Sequence, residues 1–190
     1  MLPANNRAFK EWAVVCAALG SGEQTVLLRK GGIHEDRGRF TVETPEFFLL
    51  PTYEHQDAGL LDPQHAAALA AIEAEPRDPS IVTLSRYAQV DTVVTAASEE
   101  QVRAIAGEFI WNERYVRQRF DYNPYDPLYV MLLRVYRLPA PAAVLMRPAY
   151  AGCRSWVTLD EAVPTAGATP VLPDSEFDQR KGAVLARLES

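Results

Sequence analysis

The order of strand-like and helix-like segments is the feature that most constrains how this chain folds. Ile81–Thr95 (IVTLSRYAQVDTVVT) is the strongest β segment, and Leu128–Leu138 is a second long and mostly apolar one. Shorter β-rich runs form blocks with the long ones, single helical segments separate the blocks, and there are neither βαβ alternation nor repeats. The sequence therefore predicts an α+β fold with six or seven strands in a curled, mainly antiparallel sheet or β-barrel, and with about three helices.

Capping signals define the three predicted helices. Asp62 followed by Pro63 is typical of a helix start, and Ser98-Glu99-Glu100-Gln101 is a capping box. The helices are predicted from Pro63 to Ala74, from Glu99 to about Arg119, and from Asp174 or Ser175 to about Leu188.

The apolar block around Val14 and Val15 fits either a buried strand or a short helix, because its periodicity does not decide between them. We favour a β-hairpin of Glu11–Leu19 with Thr25–Arg29. One globular domain is expected over residues 1–190, with a C-terminal linker and helix from residue 167 to 190.

Composition excludes several classes of protein. The chain has 190 residues, of which 48% are hydrophobic and 23% charged, as in globular proteins. No apolar run reaches the roughly 18–20 residues of a membrane span, and no signal peptide is apparent, so a cytoplasmic protein without a membrane partner is expected. The net charge of −6 argues against a protein that coats polyanions without selectivity. Only Lys10, Lys30 and Lys181 of the 19 basic residues are lysines, however, and arginine is the better bidentate partner for phosphate.

Polar residues follow two apolar strand-like runs, Thr25–Leu28 and Phe47–Leu50. If these runs lie side by side, their ends build one pocket of cations, amides, hydroxyls and an imidazole. The glycine pair would let a ligand approach the main chain. The predicted ligand-binding residues at the two ends are Arg29, Lys30, Gly31, Gly32, Thr52, His55 and Gln56.

The predicted hairpin adds Lys10 and Glu11 to this site. An opposite wall is expected from Arg134, Arg137 and the segment 152–156, which contains Ser155. The candidate catalytic residues, should the site be enzymatic, are His55, Glu35 and Glu11.

Other chemistries have weaker support in the sequence. Hard oxygen and nitrogen ligands for Mg²⁺ or Mn²⁺ occur at His34, Glu35, Asp36, Glu43, Glu54 and His55. There is neither an HExxH motif nor the acid-x-Lys pattern of common nucleases, and Ser155 lacks a G-x-S-x-G context. Arginines and aromatic residues suited to single-stranded nucleic acid occur at Trp111, Arg114, Tyr115, Arg117, Tyr122, Tyr125, Arg134 and Arg137.

Several blocks of sequence resemble domain of unknown function 1802, an uncharacterised bacterial family. They are AFKEWAVVCAAL, LLRKGGIHE, FFLLPTYEHQ, LLRVYRLP and AYAGCRSWVTL. The resemblance covers nearly the whole chain and implies no activity. It implies motif positions at Lys10, Glu11, Arg29, Lys30, Gly31, Gly32, Glu35, Thr52, His55, Gln56, Ser155 and Trp156.

The chain is also similar, more weakly, to PUA-like and ASCH domains, which are small β-barrels that bind RNA or modified nucleobases. The ASCH pattern G-x-K-x-x-E-x-R falls on Gly22, Gln24, Leu27 and Arg29. Gln24 and Leu27 replace its lysine and glutamate, so the similarity does not imply the amidohydrolase activity of that family.

The leading hypothesis is a binding module for nucleic acid or a nucleotide. Arg29 and Lys30 would hold phosphate, while Thr52, His55 and Gln56 would contact a base or sugar. No cofactor is expected. Two alternatives stay open: a metal-assisted hydrolase or nuclease, which would require Mg²⁺ or Mn²⁺, and a non-catalytic protein-interaction domain. The choice between DNA and RNA and the oligomeric state are left open by the sequence.

Overall fold

A computed structural model describes residues 1–30, 33–36, 39–42, 44–122, 124–152 and 155–189, with the backbone alone described at 33–36 and 39–41. Within these residues the chain forms nine strands and five α-helices, which confirms the α+β class. The strands are β1 (Ala4–Trp12), β2 (Val26–Arg29), β3 (Ile33–Asp36), β4 (Arg39–Val42), β5 (Glu46–Thr52), β6 (Ile81–Ala96), β7 (Leu128–Leu145), β8 (Trp156–Pro164) and β9 (Thr169–Pro170). The helices are α1 (Ala13–Ser21), α2 (Ala66–Ala74), α3 (Glu99–Ala104), α4 (Glu113–Asp121) and α5 (Asp174–Leu188). None of the described helices is long and apolar enough to cross a membrane.

One large sheet contains seven of the strands, in the order β2-β7-β6-β5-β1-β8, with β9 added beside β7. Among the described strands of this sheet only β1 and β5 are parallel, and every other pair is antiparallel. Strands β3 and β4 form a separate hairpin. The two edges of the large sheet approach each other, because Arg29 at the end of β2 donates from Nη1 to Ser155 Oγ, just before β8, at 3.4 Å. The sheet is therefore strongly curled but open, and it is not a closed barrel among the described residues.

The apolar block after β1 is a helix, so the predicted hairpin of Glu11–Leu19 is wrong. This block, α1, is buried on nearly all sides. A helix buried all round lacks the polar stripe that reveals helical periodicity, which is why the sequence left two interpretations. Gly22 ends the helix in the left-handed conformation, with φ of 83°. Strand β2 then pairs with β7 instead of β1, so Thr25–Leu28 and Phe47–Leu50 are not neighbours: β7 and β6 separate them.

The helix predicted up to Arg119 is divided into α3 and α4. The capping box forms, since Ser98 Oγ accepts from Gln101 N at 3.3 Å. Between the two helices the chain becomes extended, and Trp111 makes an isolated β-bridge with Leu61. Asn112 then starts α4, because its Oδ1 accepts from Tyr115 N at 3.2 Å while its Nδ2 donates to Leu61 O at 2.9 Å. This anchored start fixes where α4 lies over the sheet.

Alternation along β1 and β5 places their side chains on two faces of the sheet. We call one the helix-covered face, because Phe9 and Phe47 on it belong to the core that contains residues of α1, α3, α4 and α5. We call the other the outer face, because Ala8 and Phe48 on it pack with Tyr150 and with outward-facing residues of β6, β7 and β8. The two faces decide how the predicted site residues are distributed.

Candidate functional site

Strand β1 separates two residues that the sequence assigned to one site. Glu11 lies on the helix-covered face, two residues from Phe9, whereas Lys10 points to the outer face. The predicted ligand-binding residues therefore fall into two groups on opposite sides of the sheet.

Arg29 lies on an aromatic floor at the helix-covered face. Phe9, Phe47 and Trp156 form this floor, with Trp156 packed edge-on at 4.8 Å from Phe9 and 5.0 Å from Phe47 between ring centroids. The guanidinium carbon of Arg29 is 4.7 Å from the centroid of the Phe9 ring, a cation–π distance. Burial lowers the pKa of Arg29, while the nearby Glu11 carboxylate opposes that shift. The guanidinium is thus held rigidly and poorly hydrated, which favours a strong contact with an anion.

Glu11 supplies a carboxyl group at the end of β1, directly before α1. Its Oε1 accepts from the backbone N–H of Trp12 at 2.8 Å. Burial raises the pKa of Glu11, and the Trp12 N–H, Arg29 and Arg119 each act in the opposite direction. In the described part of the chain Glu11 makes no ion pair within 4 Å, so its carboxyl can exchange hydrogen bonds with a ligand.

Helix α4 covers this site with Tyr115 and Arg119, which are one helical turn apart. The Arg119 guanidinium carbon is 4.6 Å from the Tyr115 ring centroid. Tyr115 is stacked on Trp111 at 4.5 Å with an interplanar angle of 4°, and Trp12 approaches it edge-on at 6.4 Å. Burial raises the pKa of Tyr115, so its phenol is a neutral donor at physiological pH.

Gln56 joins the same region through the start of α1. Its Oε1 accepts from Val14 N at 3.0 Å, two residues beyond the amide bound by Glu11. Its Nε2 is buried and has no hydrogen-bond partner among the described residues. An unpaired buried donor costs about 1–3 kcal/mol, and a ligand acceptor would relieve that cost. We call the group Glu11, Arg29, Gln56, Tyr115, Arg119 and Ser155 the Glu11 cluster.

The remaining predicted ligand-binding residues lie elsewhere. Lys10 and Thr52 line a cavity on the outer face. His55 is exposed, with a positive φ of 60°. Lys30 donates to Asp126 O at 2.6 Å and lies over the Phe120 ring. Arg134 pairs with Asp174 of α5 and lies over Phe177, so it fixes that helix against β7.

Some predictions concern residues outside those described. Gly31 and Gly32 are among them, and so are Cys153 and Arg154 of the expected opposite wall. Of Glu35 only the backbone in β3 is described. Among the described residues, no group of three or more His, Cys, Asp and Glu side chains could hold a metal ion.

The sequence interpretation missed Arg119 and did not link Tyr115 to Glu11. Tyr115 and Arg119 are four residues apart in α4 and therefore lie on one helix face. This spacing could have been used to group them from the sequence. The departures from the ASCH pattern have structural roles here: Leu27 is fully buried, and Gln24 is buried with its Nε2 donating to Val26 O at 2.8 Å.

The fold and the cluster define an α+β protein with an open, curled sheet and a polar site beneath a short helix. The chain belongs to the family described as domain of unknown function (DUF1802), whose model matches residues 8–183. The resemblance noted in the sequence is thereby confirmed.

Solved structures of the ASCH protein from Zymomonas mobilis are similar to this chain. One of them, a serine-to-alanine variant, has 13% sequence identity and a TM-score of 0.47, with 84% of this chain and 92% of that chain covered. The structure without that substitution has 13% identity and a TM-score of 0.46, with 93% of each chain covered. Similarity at this level defines neither a ligand nor an activity. No curated protein matches the chain.

Proposed function

We propose that the Glu11 cluster binds a nucleotide, either free or within a nucleic acid strand. The observation that carries the proposal is the convergence of two arginines, a carboxyl group and an unpaired amide beside aromatic rings. Arg29 and Arg119 both lower the pKa of Glu11 electrostatically, so the two guanidinium groups lie near the same carboxyl without forming an ion pair within 4 Å among the described residues. Arginine recognises phosphate through a planar pair of donors.

The hydrogen-bonding groups of the cluster suit a base or a sugar. Glu11 offers acceptors, and Gln56 Nε2 offers a buried donor that lacks a partner in the described chain. A carboxyl and an amide together match the mixed donors and acceptors of a base edge, and Trp12 supplies a partly exposed ring for stacking. Apart from Tyr115, every member of the cluster is partly exposed as a whole residue, while Gln56 Nε2 itself is buried.

In this proposal the roles differ from those expected from the sequence. Arg29 keeps its contact with phosphate, but Arg119 takes the second position in place of Lys30. Gln56 keeps its contact with the base, and Glu11 replaces Thr52 and His55. Thr52 is replaced because it lies on the outer face, and Lys30 because its Nζ donates to Asp126 O away from Glu11.

Equilibrium binding of labelled single- and double-stranded oligonucleotides and of mononucleotides, measured across salt concentrations, tests the proposal. Arg29→Gln is expected to weaken binding by about tenfold or more, because a charge-assisted hydrogen bond contributes about 1.5–3 kcal/mol. The slope of log affinity against log salt should fall by about one unit per lost phosphate contact. Arg137→Gln is the matched control, since it removes the same charge from an exposed position of β7. Absent wild-type binding, or an equal loss in both variants, would refute the proposal.

A further inference from the structure

The cavity lined by Lys10 and Thr52 lies on the outer face, on the far side of the sheet from Glu11. Its volume is about 250 Å³, somewhat below the range of about 300–1,000 Å³ typical of sites for drug-sized ligands. Apolar side chains dominate its walls, among them Leu50, Val82 and Met146, while Ile81 at the rim is 42% exposed. We call it the outer-face cavity. Its size and apolar lining suit a ligand with a single aromatic ring or with two fused rings.

Lys10 places a cation in this apolar lining. Its Nζ donates to the backbone carbonyls of Tyr150, at 2.9 Å, and Gly152. An ammonium group has three donors, so one remains for a ligand. Within the described chain no carboxylate lies at ion-pair distance from Lys10. A partly buried ammonium held by neutral carbonyls gains more from an anion than a solvated one does.

Arg77 and Tyr53 form another part of the cavity wall, with the Arg77 guanidinium over the Tyr53 ring. The guanidinium carbon is 3.8 Å from the ring centroid. Arg77 Nη1 and Nη2 donate to Ile72 O at 3.3 Å and Glu73 O at 3.0 Å, at the end of α2. This second cation is thus also held by neutral carbonyls, and it keeps the tyrosine ring in a fixed plane against which another ring can pack.

Two carboxylates lie at the rim of the outer-face cavity and do not neutralise Lys10. Both Glu54 and Asp78 are exposed. Asp78 accepts from the N–H and the hydroxyl of Ser80 at 2.8 and 2.6 Å, and these hydrogen bonds lower its pKa. Solvent screens charges at an exposed rim more than it screens Lys10 inside the cavity.

We propose that the outer-face cavity binds a small aromatic anion, such as an arene carboxylate or sulfonate. The rings would pack between Tyr53 and Ile81, and the anionic group would accept from Lys10 Nζ with the Thr52 hydroxyl beside it. This site is separate from the Glu11 cluster, so its existence does not depend on nucleotide binding there.

Fluorescence titration with anilinonaphthalene sulfonate tests the inference, because this probe has fused rings and one anionic group. Saturable binding of one molecule per chain is expected, with displacement by naphthoate. Lys10→Met should weaken it about tenfold through the lost charge-assisted hydrogen bond. Lys30→Met removes the same charge from another surface and should leave it unchanged. Phenylnaphthylamine, which lacks the sulfonate, should bind the wild type and Lys10→Met equally.

A second variant tests the same site independently, in case Lys10→Met does not fold. Ile81→Glu changes an exposed rim residue, is expected to fold, and should repel the sulfonate probe by adding a like charge. Circular dichroism confirms folding of each variant. No saturable binding to the wild type, equal loss in the Lys10 and Lys30 variants, or unchanged binding to Ile81→Glu would each overturn the inference.

Discussion

A largely buried ion pair between Glu108 and Arg180 connects β2 and α4, the two elements that carry Arg29 and Arg119 of the Glu11 cluster. Its removal is the most demanding test of the structure. Glu108 lies between α3 and α4, and its Oε2 accepts from Arg180 of α5 at 2.8 Å and from Thr25 Oγ1 at 2.6 Å. Arg180 also donates to the carbonyls of Gly22 and Glu23. Thr25 leads into β2, which carries Arg29, while the segment after Glu108 leads into α4. One carboxylate therefore connects the strand, the helix and the C-terminal helix.

Arg180→Met should lower the free energy of unfolding by about 3 kcal/mol. Breaking a buried pair costs about 3–5 kcal/mol because the remaining charge is left uncompensated. The lower value applies here, since the side chains of Arg180 and Glu108 keep 20% and 10% of their surface exposed and Thr25 still donates to Glu108. The aliphatic part of the methionine side chain preserves much of the packing of the arginine stem.

Urea unfolding monitored by circular dichroism measures this loss, and the double variant Glu108→Gln/Arg180→Met supplies the control. Because glutamine carries no charge, the double variant should recover at least half of the lost stability. The dependence on urea should stay constant if the fold is unchanged. An Arg180→Met protein within about 0.5 kcal/mol of wild type, or a double variant no more stable than the single one, would refute the reasoning.

Four further predictions concern the site, its frame and the surface around Tyr125. Burial raises the folded-state pKa of Glu11, so the stability that it contributes is present below its unfolded pKa and is lost as pH rises through the folded one. Glu11→Gln should therefore gain stability relative to wild type as pH rises from 4 to 8, and urea midpoints that keep a constant difference would contradict this. Gly22→Ala should lose about 1–3 kcal/mol in thermal unfolding, because its φ is +83° and the new Cβ would lie 2.5 Å from Leu172 Cδ2. In contrast, Gly182→Ala in α5 meets nothing within 4 Å among the described atoms and should gain about 0.5–1 kcal/mol. Tyr125 is 95% exposed beside Lys30 and Phe120, so its ring is available for stacking with a base of a bound strand. Tyr125→Ala should leave stability and mononucleotide affinity unchanged but weaken oligonucleotide binding several-fold, and equal oligonucleotide binding by the variant and the wild type would contradict this.

Local signals in the sequence were sufficient for many individual elements. Ile81–Thr95 was predicted as a strand and forms β6, and the C-terminal helix ends at the predicted Leu188. The helix predicted from Pro63 to Ala74 forms as one turn of 3-10 helix followed by α2. These segments have clear caps or strong β propensity, so neighbouring residues alone define them.

Pairing between distant segments was not encoded in such signals. The strand predicted over Leu128–Leu138 continues in β7 to Leu145, past Pro139 and Pro141. Proline is tolerated there because β2 and β9 pair only with earlier residues of β7, which leaves one side of its last part as an edge. Because α1 is buried on nearly all sides, its sequence shows no helical periodicity. The β-bridge at Trp111 divides a helix that the sequence pattern predicted as continuous.

The sequence alone determined the α+β class and the family, because these follow from the order of elements, from caps and from motifs in short stretches. Tertiary structure decided which residues share a site. The curl of the sheet brings Arg29 to Ser155 across its two edges, and α4 adds Tyr115 and Arg119 from far along the chain. The period of two in β1 sends Lys10 and Glu11 to opposite faces. The surroundings of each face depend on which distant segments pack against it, and no local pattern records that.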